Sequence, residues 1–210
     1  RVFGMLDPRN PASAMVLERC GLTFEGHTKS SFWLEDEVSD DWIYGMDRDG
    51  WDAWQLRRIG PPVNVALVEI TPDNRHHVAA LTTHKTQERF VPNVINSYAD
   101  AQFSGTFNGK SVEPWMRAIV ADGEFVGFVM VLFCSDTEPV LWRLMIDRMH
   151  QRRGIGRRVV DAVVEECRHR GASTLGIGWI EGKGSPGVIC ERYGFVQTGS
   201  KIGDEVQGRL

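Results

Sequence analysis

The feature of this chain that most constrains its fold is a strand that runs through a short basic loop into a helix, at residues 141–170. The helix is predicted because an apolar residue recurs every four positions, at Ile155, Val159, Val163 and Cys167. Gly154 and Gly156 let a ligand approach the backbone, and the N–H groups of the first helical turn have no partner within the helix. Such a turn binds phosphate through its N–H groups and the helix dipole.

The rest of the chain alternates strand and helix signals. Strands are predicted at Val2–Leu6 and at 24–34, 42–46, 65–70, 115–120, 125–132, 141–146 and 174–180, with a last strand pair from 195. Helices are predicted at 11–20, 71–81, 87–102, 154–170 and 187–192. Asp122-Gly123 makes the turn of a hairpin, because this pair tolerates positive φ. The pattern predicts a mixed α/β sheet with helices on its faces.

Domain organisation is indicated by a break and by an internal repeat. Residues 56–63 combine charge, Gly and a Pro pair and are predicted to be a linker. Cys20–Gly26 resembles Tyr193–Gly199, but the stretch before Cys20 has no counterpart of the glycine loop at Gly154. We therefore expect a half domain at 1–55 and a complete domain at 64–210. The chain begins with Arg1 and shows no signal-peptide pattern, as expected of a processed or truncated product.

Composition excludes several function classes. The formal net charge of −4 offers no one-sided positive field for nucleic acid and favours a cationic ligand. The longest apolar run, Phe125–Cys134, is far shorter than the roughly 20 residues of a membrane-spanning helix. The four cysteines are scattered, which predicts neither a disulfide framework nor a metal site and favours a reduced, cytoplasmic compartment.

The loop also resembles a known family motif. Gln151-Arg152-Arg153-Gly154-Ile155-Gly156 matches the Gln/Arg-x-x-Gly-x-Gly/Ala signature of the GNAT N-acetyltransferase superfamily. Residues 65–200 are similar to the bacterial spermine/spermidine (diamine) acetyltransferases, and residues 1–54 to the C-terminal half of ribosomal-protein-type acetyltransferases. The resemblance implies the GNAT fold, a mixed, mostly antiparallel sheet whose central parallel strands splay apart, here preceded by a partial second GNAT unit.

The resemblance implies acetyl-CoA as acetyl donor, with no metal. The cofactor would lie between the strands at 141–146 and 174–180, its pantetheine arm on the main chain of Leu144 and Ile146 and its pyrophosphate on the loop N–H groups. Arginines around the loop would add positive charge. The cofactor residues implied in this way are Leu144, Met145, Ile146, Gln151, Arg152, Arg153, Gly154, Ile155, Gly156 and Arg157.

One position departs from the family pattern. The tyrosine that usually protonates the departing thiolate is replaced by Cys190, which either donates its weak S–H proton or fills the core. Tyr193 is expected to point elsewhere on its helix. Glu138, Asp147 or a water held by one of them are the candidates for the base, although each is also a common solvated or capping carboxylate.

The acceptor site is predicted from three further residues. Glu88 and Asp100 could attract an ammonium group, although a solvated helix face explains them as well. Trp142 lines the acceptor site or the core. The leading hypothesis is an N-acetyltransferase acting on a polyamine or similar small cationic amine, with a second copy of the chain as the candidate protein partner. The alternatives are acetylation of a protein N-terminus or an aminoglycoside, and a catalytically weak acyl-CoA-binding regulatory module.

Overall fold

A computed structural model describes residues 1–103, 106–107, 110–134 and 138–210 of the 210-residue chain. The described chain divides into two compact units. The N-terminal unit consists of Arg1–Arg58 and His84–Glu88, and the C-terminal unit of Ile59–Thr83 and Arg89–Leu210. In the described residues, no helix is both long and apolar enough to cross a membrane.

The N-terminal unit is a three-stranded antiparallel sheet with two helices. Its elements are β1 (Val2–Leu6), α1 (Pro11–Arg19), β2 (Thr23–Leu34), β3 (Glu37–Met46) and α2 (Arg48–Leu56), with sheet order β1-β3-β2. Asn10 caps α1 by accepting a hydrogen bond from the Ser13 N–H. The core is formed by Leu6, Ala14, Leu22 and Tyr44.

A segment that follows in sequence completes this unit. Residues 84–88 contain a 3-10 helix (Lys85–Gln87), and their anchor is Glu18 of α1, which is 3% exposed. Glu18 accepts hydrogen bonds from the Tyr44 hydroxyl and from both the N–H and the Oγ1 of Thr86. The Lys85 ammonium lies 4.7 Å from the centroid of the Phe24 ring. These contacts satisfy a carboxylate that would otherwise be costly to bury.

The C-terminal unit is built on a mixed sheet of seven strands in the order β10-β11-β9-β8-β7-β6-β4, counted over the described residues, with β5 paired to β6. The strands are β4 (Val65–Glu69), β5 (Thr106–Phe107), β6 (Lys110–Ala121), β7 (Glu124–Cys134), β8 (Val140–Ile146), β9 (Gly176–Ile180), β10 (Val196–Ile202) and β11 (Glu205–Arg209). The helices are α3 (Arg75–Ala79), α4 (Val94–Phe103), α5 (Ile155–His169) and α6 (Gly187–Tyr193). This architecture confirms the predicted fold class.

Two apolar cores lie on the C-terminal sheet. In one core, the predicted stripe of α5 packs with Trp179 of β9, Cys190 of α6 and Phe195. All four stripe residues are buried. In the other core, Val78 of α3 and Val94 of α4 pack with residues of β7 and β8, namely Phe128, Met130 and Met145. The helical period read from the sequence therefore corresponds to the face of α5 that is buried.

The central strands β8 and β9 are parallel but pair only at their first residues. The register pairs are Val140 with Gly176 and Leu141 with Ile177, and pairing ends there. A bulge in β8 accompanies this point, because Leu141 lies opposite Val131 while Arg143 lies opposite Met130, leaving Trp142 as the extra residue. The predicted parting of the two strands is therefore present.

The internal repeat noted in the sequence is also a repeat of topology. The run β1, α1, β2, β3 pairs in the order β1-β3-β2, and the run β9, α6, β10, β11 pairs in the equivalent order β9-β11-β10. The helix in each run is followed by a left-handed glycine, Gly21 (φ 94°) and Gly194 (φ 126°). This match supports the proposal that residues 1–55 correspond to the last part of a domain like 64–210.

Two predicted helix boundaries need correction. The helix predicted at 87–102 begins only at Val94, because Pro92 disfavours helical backbone before it. The helix predicted at 71–81 is confined to Arg75–Ala79. The division between the two units, at Arg58 and Ile59, falls within the linker predicted at 56–63, where Arg158 donates hydrogen bonds to the carbonyls of Pro62 and Val63.

Candidate active site

The loop between β8 and α5 forms a backbone cradle. Arg152 and Gly154 both adopt left-handed conformations, with φ of 62° and 76°. Helix α5 then begins at Ile155 with no side chain capping its first N–H groups. A Cβ built on Gly154 or Gly156 meets no heavy atom of the described residues within 4 Å, so these residues leave the space over both glycines open. Uncapped N–H groups beside open space suit an anion such as a phosphate.

The strand leading into the cradle has one open edge. The Asp147 N–H donates to the Val126 carbonyl, toward β7. Because main-chain groups alternate along a strand, those of Leu144 and Ile146 face the opposite edge, where pairing with β9 has ended. The Gln151 side-chain amide donates to the Ile146 carbonyl. The main-chain groups of Leu144 therefore point into the cleft between β8 and β9. The Gln151 side chain holds the loop against the end of β8.

The arginines of the loop do not act alike. Arg153, predicted to contact the cofactor, has a side chain only 2% exposed. Its guanidinium donates to the Gly60 carbonyl at 2.9 Å and lies 2.9 Å from the His150 Nδ1 and 3.9 Å from an Asp122 oxygen. This charge is therefore directed into the protein and cannot reach a ligand on the cradle. Arg152 and Arg157 are exposed and remain the cations beside the loop.

The two carboxylates predicted as bases have structural partners. Asp147 is buried, and its oxygens accept hydrogen bonds from the backbone N–H groups of Thr82 and Met149. Glu138 accepts from the Thr174 hydroxyl and is ion-paired with Arg209 at 2.6 Å. It precedes the paired ends of β8 and β9, away from the edge where they part. These contacts do not support the prediction that either carboxylate is the base.

Cys190 and Tyr193 lie on α6 in different environments. Burial in the α5 and α6 core raises the pKa of the Cys190 thiol to about 11, so the group stays protonated at neutral pH. The Tyr193 hydroxyl donates to Asp161 of α5 at 2.6 Å. Burial, with this hydrogen bond, raises the pKa of Tyr193 to about 12. The tyrosine hydroxyl is thus engaged with α5, as expected from its place on the helix.

The three residues predicted for the acceptor site are divided between the two units. Glu88 belongs to the N-terminal unit, where it pairs with Lys85 at 2.6 Å. Asp100 of α4 and Trp142 of β8 belong to the C-terminal unit. Trp142 packs against the core beneath α3 and α4, and Asp100 lies 3.4 Å from the Arg143 guanidinium. Asp100 and Trp142 are thereby linked through Arg143.

Sequence reasoning missed two residues of this region, Arg143 and Glu205. The Arg143 side chain is 15% exposed, and among the described residues its Nε has no hydrogen-bond partner. Burial lowers the pKa of Arg143, while Asp100 and then Glu205 act in the opposite direction. The sequence signal for Glu205 was Gly178, because a glycine inside a strand often marks the close approach of another group. In the part of the chain that the structure describes, no group of His, Cys, Asp and Glu side chains could hold a metal ion.

Comparison with known families gives one clear match. A model of the Acetyltransferase (GNAT) family matches residues 65–181, which is more than half of the 210-residue chain. The match includes β8, the loop, α5 and β9. No curated protein sequence matches the chain.

Solved structures share this fold at low sequence identity. The PaiA N-acetyltransferase from Thermoplasma acidophilum in complex with coenzyme A has a TM-score of 0.53 at 12% identity, over 70% of this chain and 98% of that one. The ribosomal-protein-S18-alanine N-acetyltransferase from Escherichia coli has a TM-score of 0.51 at 15% identity, over 70% and 93%. An aminoglycoside 6'-N-acetyltransferase complexed with coenzyme A has a TM-score of 0.51 at 15% identity, over 70% and 96%. Identities this low show the shared fold alone.

Proposed function

The chain belongs to the Acetyltransferase (GNAT) family, and from that premise we propose that it transfers acetyl from acetyl-CoA to a primary amine of a polyamine or similar small cationic acceptor. The observation that carries the proposal is the backbone cradle at Gln151–Gly156, which lies where the parallel strands β8 and β9 have parted. Such a cleft offers an anion site and a strand edge next to each other.

The residues present fit acetyl-CoA. The open space over Gly154 and Gly156 admits a pyrophosphate against the first N–H groups of α5, and Arg152 and Arg157 are exposed nearby. The free edge of Leu144 in β8 offers main-chain groups to the amides of the pantetheine arm. Bound there, the cofactor supplies an activated acetyl thioester beside the cleft.

The chain must then supply acid and base chemistry for the transfer. The acceptor nitrogen has to lose a proton before it can attack, and the departing sulfur has to gain one. Cys190 is protonated at neutral pH and remains our proposed proton source, with water as the substitute. Since Asp147 and Glu138 are occupied by structural contacts, a water molecule is the simplest route for the acceptor proton.

The acceptor class is tested by a panel of amines. Thiol release from acetyl-CoA is followed with a thiol-reactive dye. We expect the kcat/KM for the amine acceptor to be highest for a polyamine. An aminoglycoside and a peptide with a free N-terminus represent the classes named for two of the structural neighbours. Preference for either would overturn the polyamine assignment. Acetyl-CoA binding with no amine-dependent release would favour a regulatory module, which the cysteine at position 190 also suggests.

The role of Cys190 is tested by removing its thiol. We expect Cys190→Ala to keep a measurable rate, because water can deliver the proton that this thiol would supply. Cys190→Tyr should raise the rate if the core admits the ring. Turnover is to be compared at equal acetyl-CoA saturation. A Cys190→Ala protein that binds acetyl-CoA normally but turns over at least about a thousandfold more slowly would show that the thiol is essential.

A further inference from the structure

Position 178 in β9 has no room for a side chain, which explains the glycine found there. Its φ is not in the left-handed region, so backbone freedom does not explain the residue. A Cβ built at this position would lie 2.5 Å from Oε2 of Glu205. The carboxylate of Glu205 therefore lies directly over the backbone of β9, at a position that any larger residue would fill.

This position is the first residue of β9 beyond the parallel pairing. The last pair joins Leu141 to Ile177, so Gly178 lies where β9 leaves β8. Glu205 reaches it from β11, where it is paired with Ile180. The carboxylate is thus placed at the point where the cleft begins to open.

Glu205 is half-buried. Within the described ranges, its carboxylate has neither a hydrogen-bond donor nor an ion-pair partner, and the contact made by Gln207 is to its main-chain carbonyl. A carboxylate that makes neither contact can accept hydrogen bonds from a cationic donor.

The neighbouring charges do not neutralise Glu205. Arg143 attracts it electrostatically but is ion-paired with Asp100 at 3.4 Å. Asp100 and Arg143 together are neutral, so the three side chains leave one negative charge, on Glu205. Arg143 follows the bulge at Trp142 and lies in the part of β8 where pairing with β9 has ended. The charge left over at the opening of the cleft is therefore negative.

We propose that Glu205 is the residue that binds an ammonium group of the polyamine other than the nitrogen that is acetylated, a specificity-determining role that rests on the acetyltransferase function proposed above. The bare carboxylate accepts hydrogen bonds from the cation, and Gly178 provides the space in which it does so. The Asp100 and Arg143 pair forms the neutral side of the same opening. Acceptors are therefore selected as cations.

The experiment measures KM for a polyamine and for acetyl-CoA, together with kcat, in three variants. Glu205→Gln removes the charge and keeps the size of the side chain. Gly178→Ala keeps the charge and displaces the carboxylate. Asp204→Asn is the matched control, because it removes an exposed carboxylate from the adjacent turn. Acetyl-CoA affinity by calorimetry shows that each variant is folded.

We expect Glu205→Gln and Gly178→Ala to raise the KM for the polyamine about tenfold to a hundredfold, since a hydrogen bond to a charged group is lost. Their KM for acetyl-CoA and their kcat should stay within about twofold of the unaltered protein, as should every constant of Asp204→Asn. If Glu205→Gln behaves like Asp204→Asn while the unaltered protein acetylates amines, this inference is wrong and the proposed function stands. If the unaltered protein acetylates no amine, both are wrong.

Discussion

Replacing Gly154 and Gly156 together by valine should abolish acetyl-CoA binding, with at least about a hundredfold loss of affinity. Two isopropyl groups would occupy the open space over the first turn of α5, where the N–H groups are expected to meet the pyrophosphate. Valine at Gly154, where φ is 76°, would also distort the loop because branched side chains disfavour that conformation. Isothermal calorimetry of acetyl-CoA binding measures the effect.

The matched control for this double variant is Gly171→Val. Gly171 lies beyond the other end of α5, has a φ of 85° and also faces open space. Valine at position 171 therefore imposes the same kind of backbone strain without touching the cradle, and acetyl-CoA affinity should not change. Equal affinities in the double variant and the unaltered protein would remove the cradle assignment.

Arg153→Ala should destabilise the C-terminal unit by about 3 kcal/mol, because it removes a buried guanidinium from its partners. Gly60 would lose the donor to its carbonyl, and the Asp122 carboxylate would lose its nearby cation. For a protein of this size the melting temperature should fall by roughly 6 to 12 °C. Thermal unfolding followed by circular dichroism measures it.

Arg152→Ala is the control, since it deletes the neighbouring guanidinium from an exposed position. It should leave stability within about 0.5 kcal/mol. It should weaken acetyl-CoA binding by about tenfold at most, because an exposed charge contact contributes on the order of 1 kcal/mol. The opposite pattern, with Arg152 governing stability and Arg153 governing affinity, would contradict the geometry described for the loop.

The local features of the C-terminal unit could be predicted from sequence because they depend on short-range patterns. The stripe from Ile155 to Cys167 identifies the buried face of α5, and the hairpin at Asp122-Gly123 joins β6 to β7 as expected. The loop could be recognised because two glycines at the start of a helix are enough to indicate exposed backbone N–H groups. These features contain most of the cradle.

The directions of side chains depended on distant parts of the chain. Nothing in the run Arg152-Arg153 says that the second guanidinium turns inward, because its partners Gly60 and Asp122 lie far away in sequence. Glu205 was missed for the same reason, since its relation to Gly178 exists only once β11 pairs with β9. Sequence periodicity carries no information on such pairs.

The N-terminal unit was only partly predictable. Helix α2 was missed although Trp51 and Trp54 lie three residues apart, as on one face of a helix, and of the two only Trp54 is buried. The recruitment of residues 84–88 depends on the buried Glu18 and its bonds to Thr86. A glutamate next to Arg19 in a helix reads as a surface residue, and only the three-dimensional arrangement shows that it is buried.

Acetyl transfer itself is tested by mass spectrometry of a polyamine after incubation with acetyl-CoA and the protein, together with a count of released thiol. We expect a singly acetylated polyamine in equal amount to free coenzyme A thiol, and no product with the Gly154→Val, Gly156→Val variant. Free thiol without acetylated amine, or the same product yield from that variant, would contradict this expectation.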